Sequence, residues 1–88
     1  MVMKKEYYYQ SRRIRIYMYV EEPGFNVFIG TNRGFLVVDF VDVSNKEEVK
    51  SAYNDSKFIP TKCARRWYRK VFNEMISKLL EENDKRRS

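Results

Sequence analysis

The sequence predicts an α+β domain: a three-stranded antiparallel meander, a short helix, then a long C-terminal amphipathic helix packed on one sheet face. Three observations predict it. Between Arg12 and Val43, apolar residues return at every second position, the period of a strand with one buried face. From Ala64 to Leu79 they return at steps of three and four, the period of a helix with an apolar stripe. The three glycines and two prolines fall where elements begin or end. At 88 residues the chain holds one domain, read as 1–88, with frayed ends at 1–5 and 82–88.

The first strand runs from Arg12 to Glu21. Ile14, Ile16, Met18 and Val20 point to one face, and Arg13, Arg15, Tyr17 and Tyr19 to the other. Glu22-Pro23-Gly24-Phe25 has the chemistry of a type II turn, with proline presetting φ and glycine free to take φ > 0. The second strand, Phe25 to Ile29, alternates Phe25, Val27 and Ile29 against Asn26 and Phe28. Gly30 to Gly34 is a loop of hairpin length, and Phe35 to Val43 forms the third strand. Tyr7 to Gln10 either extends the first strand past a bulge near Ser11 or makes a short strand of its own.

The second half changes period. Ser44-Asn45-Lys46-Glu47 reads as a capping box opening a short helix that carries Val49, Ala52 and Tyr53. Asn54-Asp55-Ser56 closes it, and Pro60 or Thr61 opens the long helix. Its stripe is Ala64, Trp67, Tyr68, Val71, Phe72, Met75, Ile76 and Leu79, and the polar tail from Glu81 should fray.

Composition closes off several kinds of chemistry. The chain has no histidine, so no Ser-His-Asp triad, histidine metal site or histidine proton switch is available. Cys63 is alone, so no internal disulfide or thiolate zinc cluster forms, and a single free thiol fits a reducing cytoplasm. No apolar run approaches the ~20 residues of a membrane span. Asp39 and Asp42 lie three apart, so on a strand they point to opposite faces and cannot share one ion. Gly24, Gly30 and Gly34 follow no phosphate-loop spacing. These features predict no catalytic residue, no metal and no cofactor.

The charge is +6, from 18 Lys and Arg against 12 Asp and Glu, and it is unevenly spread. Residues 1–20 carry a net +4, residues 21–43 a net −3, and residues 62–75 again +4. On a helical wheel Lys62, Arg65, Arg66, Arg69 and Lys70 fall on one arc largely opposite the apolar stripe, a cationic row suited to phosphate. The competing reading of such a row is an ordinary solvated helix face. Arg12, Arg13 and Arg15 form a second basic group beside Tyr17, Tyr19 and Phe28, a mixture that suits single-stranded nucleic acid. The third strand is apolar on both faces, so one helical layer cannot cover it all. A leftover patch of Phe28, Phe35, Val37 and Val41 predicts a homodimer or another packed layer.

The function expected is therefore non-catalytic binding of DNA or RNA. Its site residues are Arg12, Arg13, Arg15, Tyr17, Tyr19, Phe28, Lys62, Arg65, Arg66, Arg69 and Lys70. The alternative is a protein-interaction module, a small accessory or inhibitor protein that docks a larger partner or itself through the apolar sheet face. No membrane partner is expected.

Overall fold

Turns of two or three residues build the sheet. A computed structural model describes residues 6–87, with side chains described outside 35–38 and 83–87. The fraying expected of residues 1–5 lies outside the described residues. Strands β1 (Glu6–Gln10), β2 (Ile14–Glu21), β3 (Gly24–Thr31) and β4 (Gly34–Asp42) form one antiparallel sheet in chain order. The meander thus has four strands rather than three. Tyr7 to Gln10 is a strand in its own right, pairing along β2 with Tyr8 opposite Tyr17. Its turn contains neither glycine nor proline, and the Ser11 amide donates to the Ile14 carbonyl at 2.9 Å to close it.

The turn at Pro23 differs from the type II expectation. The Glu22–Pro23 peptide is cis, and Gly24 does not take positive φ. Glycine is needed at 24 for space, because a Cβ there would fall on the Val41 carbonyl. The left-handed glycine is Gly34 instead, with φ 128° at the closure of the β3–β4 hairpin.

The alternation places the inner face of the sheet as expected. Ile14, Ile16, Met18, Phe25, Val27, Ile29 and Val41 are buried, with Tyr7, Tyr9 and Val20 half-buried at the margin. Helix α1 (Lys46–Asn54), a 3₁₀ turn (Asp55–Phe58) and helix α2 (Lys62–Arg87) cover that face. From α2 the expected stripe supplies Ala64, Tyr68, Val71, Phe72, Met75 and Leu79 to the core, with Trp67 and Ile76 at its edge. Phe72 meets Phe25 edge-on at 5.2 Å, and Trp67 packs on Tyr9 at the same centroid distance. Each large side chain so buried contributes about 1.5–3 kcal/mol by leaving water.

Two details of the helical layer depart from expectation. The cap of α1 is Asn45, whose side chain accepts from the amides of Glu47 and Glu48. Ser44 instead donates from both its amide and its hydroxyl to the Asp42 carboxylate, which holds that carboxyl below its ordinary pKa. Thr61 is the residue that opens α2, its hydroxyl accepting from the Ala64 amide at 3.4 Å. The second departure is the polar pinning between the helices. The Tyr68 hydroxyl donates at 2.8 Å to the Ala52 carbonyl, one of the orphan acceptors at the end of α1. Burial pushes that phenol well above its usual range.

Val41 does not join Phe28 in the expected patch, and the side chains of Phe35 and Val37 lie outside those described. Val41 pairs with Phe25 and is fully buried against the helices, while Phe28 sits opposite position 38. A register irregularity between Ile29 and Gly30 puts Ile29 opposite position 37 but Gly30 opposite position 35. The shift is that of a β-bulge, with one extra residue on β4.

Candidate nucleic-acid interface

The second face of the sheet bears no helix among the described residues. Register places Glu6, Tyr8 and Gln10 of β1 on it, then Arg15, Tyr17 and Tyr19 of β2, then Asn26, Phe28 and Gly30 of β3. Four rings of β1 to β3 gather there. Tyr19 and Phe28 stack with a 6.1 Å centroid separation and planes 10° apart. Tyr17 meets Tyr19 edge-on at 5.5 Å and Tyr8 at 6.2 Å, and lies 6.4 Å from Phe28. Of these rings Tyr8 is the most open, at 54% exposure. The Tyr17 hydroxyl donates to the Glu6 carboxylate at 2.7 Å, and that bond raises the phenol's pKa.

Charge divides this face along the strand direction. At one end the β1–β2 and β3–β4 turns lie side by side, tied by the Asn32 amide donating to the Arg12 carbonyl at 3.3 Å. Arg12, Arg13, Arg15 and Arg33 cluster there, all exposed. None of the four has an ion pair with a carboxylate among the described residues. The opposite end carries Glu6, Glu21, Glu22 and Asp42, with Glu21 accepting from Asn26 at 2.6 Å.

Two hollows open at the basic end. An apolar one of about 250 Å³ is lined by the rings of Tyr8, Tyr17 and Phe28 with Arg15 and Gly34. A polar one of about 350 Å³ lies in the β1–β2 turn, between Gln10, Ser11, Arg12, Arg13 and Asn32, and no carboxylate among the described residues lines it. Arg15, Gly30 and Thr31 border both.

The cationic row expected on α2 is split in two. Lys62, Arg66 and Lys70, each four residues from the next, are exposed and stand directly opposite the buried stripe. Arg65 and Arg69 turn inward onto the segment between the helices. Arg65 donates to the Ile59 carbonyl at 3.0 Å, with its Nε buried beside it. Arg69 Nε donates at 2.8 Å to the hydroxyl of Ser56, a residue only 1% exposed, and its guanidinium lies over the Tyr53 ring. These two flank the arc on the side where the 3₁₀ turn packs, which is why they are not free. The three cations left of that row lie on the far side of the domain from the ring cluster, so the row and the turn arginines cannot grip one stretch of ligand together.

The chain matches no protein-family model, no curated protein and no solved structure. Its site therefore rests on its own geometry. No helix is long and apolar enough to cross a membrane, among the described residues. Cys63 is exposed and unpaired on α2. Asp39 pairs with Val27 and Asp42 with Gly24, so the two carboxylates stand on opposite faces.

Of the expected site residues, the structure brings Arg12, Arg13, Arg15, Tyr17, Tyr19 and Phe28 into one surface. Tyr8 and Arg33 belong to that surface and were not among them. The signal for Tyr8 was the period of two running back through Tyr9 and Tyr7, usable once Arg12-Arg13 is read as a turn. Arg33 joins through the pairing of two hairpin ends, a tertiary fact with no local mark.

Proposed function

We propose that this chain binds single-stranded nucleic acid, DNA or RNA, across the uncovered face of its sheet without carrying out a reaction on it. One observation carries the reading: a cluster of four rings, on a sheet face that no described helix covers, adjoins four arginines that no carboxylate among the described residues pairs with. Bases stack on rings with about 1–3 kcal/mol each, and arginine meets phosphate with two parallel hydrogen bonds. Arg12, Arg13, Arg15 and Arg33 take phosphates, while Tyr8, Tyr17, Tyr19 and Phe28 take bases. Lys62, Arg66 and Lys70 make a separate, weaker phosphate surface. Arg65 and Arg69 hold the helical layer together. An exposed thiol suits a reducing compartment such as the cytoplasm.

The test is a binding series on single-stranded and duplex DNA and RNA at several salt concentrations. Three to four phosphate contacts predict a slope of about −2 to −3 in log K against log salt on single strands. Replacing Arg12, Arg13 and Arg33 with alanine flattens that slope and leaves the fold intact. Salt-independent binding, or equal binding by the triple variant, sinks the proposal.

The opposite charges at the two ends of the face favour a second reading, self-association. A copy turned about a two-fold axis sets its acidic end on the basic end of the first, with the rings between them. Sedimentation at low and high salt decides: a dimer that dissociates as salt rises supports this reading, and a monomer throughout refutes it.

A further inference from the structure

Resting on the nucleic-acid reading, we infer that the basic end of the open face is a two-part site for a single nucleotide of the bound strand. The base enters the apolar hollow walled by Tyr8, Tyr17 and Phe28, and its phosphate lies in the adjoining turn against Arg12 and Arg13. The two compartments are of opposite chemistry and share a wall. The first is lined by ring carbons, and the second by arginines and amides, with no carboxylate among the described residues to repel an anion. Arg15 stands on the wall, opposite Gly30 in the register, where the partner strand contributes no side chain to close the gap. A nucleotide has the same division, a flat apolar ring joined through a sugar to an oxyanion. At about 250 Å³ the apolar hollow falls below the ~300–1,000 Å³ of sites for drug-sized ligands, so it holds one base rather than a stacked run. The remaining rings, Tyr19 stacked on Phe28, are already in contact with each other and leave no slot between them.

The experiment compares a short oligothymidylate, an abasic oligomer of equal length, and an abasic oligomer carrying one thymine. Abasic phosphate binding with a salt slope is the property of the parent reading alone. The two-part site adds a base-dependent gain of about 5- to 150-fold, and the single thymine recovers most of it. Phe28→Ala removes that gain while abasic binding persists, and Arg13→Ala weakens all three ligands alike. Tyr8→Ala, at an exposed position on the edge strand, makes the same test should Phe28→Ala not fold. Equal binding of the abasic and thymidine oligomers overturns the base compartment and leaves the parent reading standing. Affinity that climbs evenly with each added thymine also overturns it, in favour of a continuous platform. Failure of all three ligands to bind removes the parent reading itself.

Discussion

Removing the Arg69 side chain tests the division of the basic helix into inward and outward cations. Its Nε donates at 2.8 Å to the Ser56 hydroxyl, which is almost wholly shielded from water. Hydrogen bonds to charged groups are worth about 1.5–3 kcal/mol net. The guanidinium also lies 5.8 Å from the Tyr53 ring centroid, which adds about 0.5 kcal/mol at a half-exposed position. Freedom regained by the truncated side chain offsets part of this. Arg69→Ala is therefore expected to cost about 1–3 kcal/mol. With a urea slope near the low end for small domains, about 1 kcal/mol/M, the midpoint falls by about 1–3 M. The comparison is Lys62, Arg66 and Lys70 replaced together by alanine. Those residues are exposed, and each change stays within about 0.5 kcal/mol. Urea unfolding followed by circular dichroism reads both variants. A triple variant that loses as much stability as Arg69→Ala, or an unmoved midpoint in Arg69→Ala, refutes the assignment.

Three further outcomes follow from the same packing. Tyr68→Phe keeps the buried ring against Phe72 but leaves the Ala52 carbonyl without its donor, so stability falls by about 1–3 kcal/mol in a urea titration. Gly24→Ala forces β3 away from β4 and costs at least about 1–3 kcal/mol, visible as a lowered melting temperature with loss of amide protection in β4. Burial, and then the neighbouring Asp39 charge, raise the Asp55 pKa. The folded state therefore holds that proton more tightly than the unfolded one, and this support is lost as pH rises through the carboxyl range. Asp55→Asn is accordingly more stable than the parent chain at neutral pH, and stability curves across acidic pH show the difference closing as the carboxyl protonates.

The parts of the fold governed by periodicity were readable in the chain. The inward set of β2 and β3 and the stripe of α2 follow from spacing alone, because burial against one partner layer imposes a single period on each. The rest depended on features that spacing does not carry. β1 stayed ambiguous because the turn Arg12-Arg13 lacks glycine and proline. Val41 was assigned to the open face because the sequence of β4 is apolar at both parities, and only its pairing with Phe25 turns it inward. Ser44 and Asn45 are both good caps, and only the Asp42 carboxylate, which draws Ser44 away, decides between them. The candidate site was legible in the same measure. Arginines and rings alternating on β2 gave half of it, whereas the inward turn of Arg65 and Arg69 depended on where the 3₁₀ turn comes to rest.

The pairing of Trp67 with Tyr9 gives the chain an internal optical gauge. The one indole of the sequence is held between α2 and β1, on the side of the sheet away from the open rings. Its emission follows whether the layers stay closed, and a molecule resting on the far side leaves it steady. Loss of shape and gain of ligand can thus be told apart in a single cuvette.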